Sequence, residues 1–87
     1  MKSPLNYAIL LYFTRHPEGD ADSIIDDLRP EYGGYRAFSR KGVVEALMTS
    51  KENGILEEVR YGLSDGDVLR VWYRLTDYGS DMIKRFL

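Results

Sequence analysis

The chain contains no cysteine and only one histidine among its 87 residues. The first absence removes disulfides, thiol nucleophiles and thiolate metal sites, and it fits a reducing, cytoplasmic setting. The second leaves His16 without the partners that a zinc site or a nucleophilic triad needs. Lying before Pro17 at a helix end, its charged form would favour the helix dipole. No apolar run approaches the roughly 18 residues of a membrane span. The opening Met-Lys-Ser-Pro-Leu leads into an apolar run with no small-residue cleavage site after it, so no signal peptide is read. Positive charge is also scarce. The net charge of −2 argues against a surface built throughout to attract phosphate.

Two features that resemble ligand sites fail on their spacing. Asp20, Asp22, Asp26 and Asp27 lack the glycine and terminal glutamate of a calcium loop, and read as helix capping and a solvated face. Gly33-Gly34 has no Lys-Ser/Thr after it and is not a phosphate loop. The expectation is therefore a protein that is not an enzyme, with no metal and no cofactor.

What is present suits one globular domain spanning residues 1–87, with 44% hydrophobic and 30% charged residues and no internal repeat. A chain of this size buries roughly 60% of its unfolded surface, enough for a modest core without staples. The charge is uneven: residues 1–35 balance at −3, 36–61 at +1 and 62–87 at zero. The positive third owes its sign to Arg36, Arg40 and Lys41.

Ser3-Pro4 reads as a helix start, with proline at the first helical position. From Leu5 to Phe13 every residue but Asn6 is apolar or aromatic, which predicts a helix buried on more than one side. Pro17 ends it near Arg15-His16. Asp20 or Asp22 caps a second helix with Ala21, Ile24, Ile25 and Leu28 along one stripe, and Pro30 ends that one. Glu31–Phe38 is glycine-centred and irregular, with Arg36–Phe38 a possible short edge strand. Ser39 then caps a third helix, anchored by Val43 and Leu47 and closed at Gly54 in left-handed geometry.

After Gly54 the period falls to two. Ile55, Val59, Tyr61 and Leu63 are expected to share one face, with Glu58 and Arg60 opposite. Ser64-Asp65-Gly66-Asp67 makes a hairpin turn, because Asp-Gly supplies positive φ. In the return strand Leu69, Val71, Tyr73 and Leu75 alternate with Arg70, Trp72 and Arg74. Thr76 caps a last helix, Asp77–Leu87, whose Tyr78, Met82, Ile83 and Phe86 are expected to give it a buried face.

Three helices, an antiparallel hairpin and a short C-terminal helix give an α+β, mainly α, order: that of a winged helix–turn–helix with a two- or three-stranded wing. Two segments carry a closer likeness. Leu47–Leu56, ending Glu-Asn-Gly-Ile-Leu, resembles the join of recognition helix and wing in PadR-type and related MarR-like regulators. Tyr73-Arg-Leu-Thr-Asp-Tyr-Gly79 resembles the segment where their wing returns, and is the more specific of the two. The resemblance spans about Val43 to Gly79. It implies operator DNA as partner, bound by a dimer with the third helix in the major groove and the hairpin on the backbone. It also implies transcription regulation and, in many such regulators, a small-molecule effector, although nothing in the sequence marks a pocket. Four features depart from the pattern: Ser50 replaces a usual core leucine, the link from Leu28 to Ser39 is longer than a tight helix–turn–helix turn of about 3–4 residues, Asp65 and Asp67 sit at the wing tip, and the last helix is too short for long dimerisation helices.

The residues expected to contact DNA are Arg36, Ser39, Arg40 and Lys41 around the start of the third helix, where recognition helices reach base edges and phosphates. Arg60, Arg70 and Arg74 on the hairpin's polar face are expected to touch phosphate, with Glu58 on that face as a competing ion partner. Thr49 and Lys51 lie at the groove margin, and Glu45 reads as a surface residue. Trp72, outward by parity, calls for a cover, either the first helix or another subunit. A homodimer through the first and last helices is expected. The alternative to a DNA-binding regulator is a winged-helix protein–protein interaction module, suggested by the acidic balance and Trp72.

Overall fold

The computed structural model describes residues 3–63 and 66–86, and its elements run α1 (Leu5–Arg15), α2 (Ala21–Tyr32), α3 (Arg40–Glu52), β1 (Leu56–Leu63), β2 (Leu69–Leu75) and α4 (Asp77–Phe86). α1 buries Ala8, Ile9, Leu10, Tyr12 and Phe13, so more than one of its sides faces protein, as its near-continuous apolar run requires. Pro4 is the N-cap itself, one position earlier than expected, and no side chain caps this helix. The Ser3 carbonyl is instead taken by the Tyr32 hydroxyl.

α2 buries Ala21, Ile24, Leu28 and Tyr32. Pro30 does not end it. A proline in a last turn forfeits one N–H bond, and here the turn is held by Tyr32, which is 1% exposed and donates to the Ser3 carbonyl. Nor does Arg36–Phe38 form a strand. Residues 33–38 make successive turns, with Tyr35 N–H donating to the Tyr32 carbonyl (2.9 Å) and Phe38 N–H to that of Tyr35 (3.0 Å). Phe38 packs against the core.

Ser39 caps α3 as expected: its Oγ accepts from Gly42 N–H at 3.0 Å. Val43 and Leu47 are 0% and 1% exposed. The far end closes in a Schellman motif, with Ile55 N–H donating to the Ser50 carbonyl (2.9 Å) and Gly54 N–H to that of Lys51 (3.0 Å). Gly54 has φ +78°, which other residues adopt only with strain.

β1 and β2 pair antiparallel from Leu56↔Leu75 to Leu63↔Leu69. Gly19 adds a one-residue third strand, exchanging two backbone bonds with Tyr73 at 2.9 and 2.8 Å. At the turn, Gly66 and Asp67 have φ of +86° and +61°; Ser64 and Asp65 lie outside the described residues. A bulge between Glu58 and Arg60 corrects the expected parity of β1. Leu56 and Glu58 before it share a face with Tyr61 and Leu63 after it, while Glu57, Arg60 and Gly62 take the other. β2 alternates as expected.

Thr76 caps α4. Its hydroxyl accepts from Gly79 N–H (2.9 Å) and reaches the Gly54 carbonyl (2.6 Å). The buried apolar side chains of the helices and the hairpin base form one cluster.

Candidate nucleic-acid interface

α3 turns Val43 and Leu47 inward and leaves Arg40, Lys41, Glu45, Met48, Thr49 and Glu52 exposed. Two cationic side chains therefore meet at its start, while its middle carries Glu45 and its end Lys51, paired with Glu58, and Glu52. Arg36 stands exposed in the turns before the helix. Among the described residues, Arg36 and Lys41 make no ion pair. Ser39 Oγ is engaged as the cap, which leaves its hydroxyl proton to offer outward.

Arg40 is about half exposed and its Nε lies 3.2 Å from Asp22 Oδ1 on α2. A pair this open is worth about 0–1 kcal/mol, so a phosphate can compete for it.

The hairpin arginines share one face, as expected, and each has a carboxylate partner. Arg70 donates to Asp20 Oδ2 from Nε (3.1 Å) and from its terminal nitrogen (2.7 Å). The Asp20 side chain is 3% exposed and also accepts from Ser23 Oγ at 2.6 Å. Burial works to raise the Asp20 carboxyl, but the hydrogen bonds from Ser23 and Arg70 outweigh it and hold the group below its ordinary value. The bond to Asp20 correspondingly raises the Arg70 guanidinium. Arg60 reaches Glu18 at 2.7 Å, and Arg74 reaches Glu57 directly across the ladder at 2.7 Å. Glu58, on the opposite face because of the bulge, pairs with Lys51 of α3 at 3.2 Å and accepts from the Tyr61 hydroxyl at 2.5 Å. That hydroxyl bond is the leading reason its carboxyl lies below the ordinary value.

Within the chain, Trp72 is covered by two arginines of its own hairpin. The Arg60 and Arg70 guanidiniums lie 4.5 and 4.7 Å from its ring centroid, and the ring lies over Gly62. The shared parity of Trp72 and Arg70 was visible in the sequence. The Asp20–Arg70 pair, formed across 50 residues, had no local signal.

Three helices with α2 and α3 joined by a run of turns, followed by a twisted hairpin packed on the same core, define a winged helix–turn–helix fold. No protein-family model matches the chain, and no curated protein is similar to it. Solved structures are similar in fold. Bacillus subtilis PadR in complex with operator DNA superposes with a TM-score of 0.74 at 22% identity, over 94% of this chain and 45% of that one. The PcaV transcriptional regulator from Streptomyces coelicolor, in complex with its natural ligand, gives 0.68 at 23% identity over 97% and 52%. A PadR-like transcriptional regulator from Bacillus cereus gives 0.69 at 20% identity over 94% and 76%. The chain thus spans about half the length of the first two.

Proposed function

We propose that this chain is a double-stranded-DNA-binding transcriptional regulator that places α3 in the major groove, first turn foremost. The observation that carries the reading is the capped, exposed start of α3. It sets Lys41 and Arg36 without ion partners among the described residues, beside Arg40 in a pair weak enough for phosphate to open. Backbone contacts of this kind supply affinity and register. Of the hairpin arginines, Arg70 is committed to the buried Asp20, while Arg60 and Arg74 sit in pairs about as open as that of Arg40 and can exchange them for phosphate on the same terms. The fold it shares with an operator-bound regulator supports the same reading.

The test is an Arg36→Ala/Lys41→Ala double variant in a salt-titrated DNA-binding assay. Affinity should fall across all sequences, and the slope of log affinity on log salt should lessen by about two contacts' worth. Binding that is unchanged in affinity and slope would overturn the assignment.

The reading extends to a single domain over residues 1–87 acting in the cytoplasm without enzymatic activity. Among the described residues no helix is long and apolar enough to cross a membrane. It extends also to a homodimer through α1 and α4, which pack side by side. Tyr7 on α1 and Tyr78 and Phe86 on α4 are 48%, 61% and 76% exposed, an aromatic surface fit for a second copy. Light scattering of a Phe86→Asp variant should give half the mass of the parent. A parent that is monomeric at every concentration would refute the dimer.

A further inference from the structure

A cleft of about 350 Å³ opens between α3 and the hairpin, on the side away from the Trp72 stack. Val44 and Met48 form its helix wall, Tyr61, Leu69 and Val71 its strand wall, and Leu47 its floor. Met48, Tyr61 and Leu69 are 49%, 62% and 56% exposed, so the walls are apolar and open to a ligand. The volume falls at the small end of sites that enclose organic ligands.

The rim carries charge of a definite balance. Arg40, Lys51 and Arg70 line it, and each is paired with a carboxylate that also lines it: Asp22, Glu58 and Asp20. Glu52, in the last turn of α3, is a fourth rim carboxylate and makes no ion pair among the described residues. The rim therefore has one negative charge in excess. With Arg70 held by the buried Asp20 and one carboxylate in excess, the rim favours a cation over an anion, and Glu52 stands unpaired to receive it. The exposed Tyr61 ring, its hydroxyl tied to Glu58, offers a face for an aromatic ring or a cation.

We infer that the cleft between α3 and the hairpin is a binding site for a small aromatic amine: one or two rings against Met48, Tyr61 and Leu69, with the ammonium at Glu52. Occupancy is read on the protein alone, so the inference stands or falls separately from DNA binding.

Three probes of similar size and different charge test it by amide chemical shifts on the full chain: tryptamine, indole and indole-3-acetate. Tryptamine should give saturable shifts at Val44, Met48, Glu52, Leu69 and Val71, and bind about threefold to fivefold more tightly than indole-3-acetate, the ratio expected of one exposed ion pair. Glu52→Gln should erase that preference and leave indole unchanged. Leu69→Ala, at an exposed position whose loss leaves the core intact, should weaken all three probes several-fold. The inference is overturned if tryptamine gives no saturable shift at about 1 mM, if its shifts map elsewhere, if indole-3-acetate binds as tightly, or if Glu52→Gln leaves the preference in place.

Discussion

The two faces of the hairpin use their residues in opposite ways. On the Trp72 face every guanidinium is occupied: Arg60 with Glu18, Arg70 with Asp20, Arg74 with Glu57, and two of the three also against the indole. On the Tyr73 face the base is sealed, with Tyr73 5% exposed, while Tyr61, Leu63 and Leu69 toward the tip stand open at 62%, 67% and 56%. The charged face is thus the held one and the apolar face the free one. Cations on a wing do not by themselves mark a phosphate-binding surface. They first satisfy the carboxylates that the fold brings within reach.

The largest test of this contrast is Asp20→Asn. It leaves Arg70 without its buried partner and should cost about 2–3 kcal/mol in chemical denaturation. The same pair predicts an acid limb. Because folding holds the Asp20 carboxyl below its unfolded value of about 3.9, its contribution is complete above that value and fades as pH falls through the lower folded value. Stability curves of parent and Asp20→Asn should therefore converge below about pH 4, and a constant gap down to strong acid would assign the loss to shape instead. Trp72→Ala comes next, at about 1–2 kcal/mol, since it removes both guanidinium contacts and the cover over Gly62. Arg74→Ala should stay within about 1 kcal/mol, as its partner is exposed too. The smallest effect belongs to Leu63→Ser on the free face, within about 0.5 kcal/mol. A loss at Leu63 matching that at Asp20 would abolish the distinction between held and free faces.

Helix spacing and the alternation of β2 were legible because one side of each is buried, and burial writes its period into the residue order. Ser39, Gly54 and Thr76 announced their ends through local chemistry, and all three act as read. Two of the misreadings turned on a distant contact. Pro30 failed to stop α2 because Tyr32 is anchored to Ser3. The parity of β1 slipped at Val59 because a bulge is a property of two strands, seen only once Glu58 faces Tyr73 and Arg60 faces Trp72. At the candidate site, the start of α3 was legible from its cap and charge. The commitment of Arg70 was not, since its partner lies 50 residues away.

Gly79 gives the molecule a common pivot. A Cβ there would lie 2.1 Å from the Ile55 carbonyl oxygen, so α4 rests directly on the backbone where α3 ends and β1 begins. Thr76 latches the same point, holding the Gly54 carbonyl on one side and the Gly79 N–H on the other. α3, the hairpin and α4 thus share one hinge pin rather than three separate joints. A tilt imposed on α4 would therefore press first on Gly54 and Ile55, the residues that join α3 to β1.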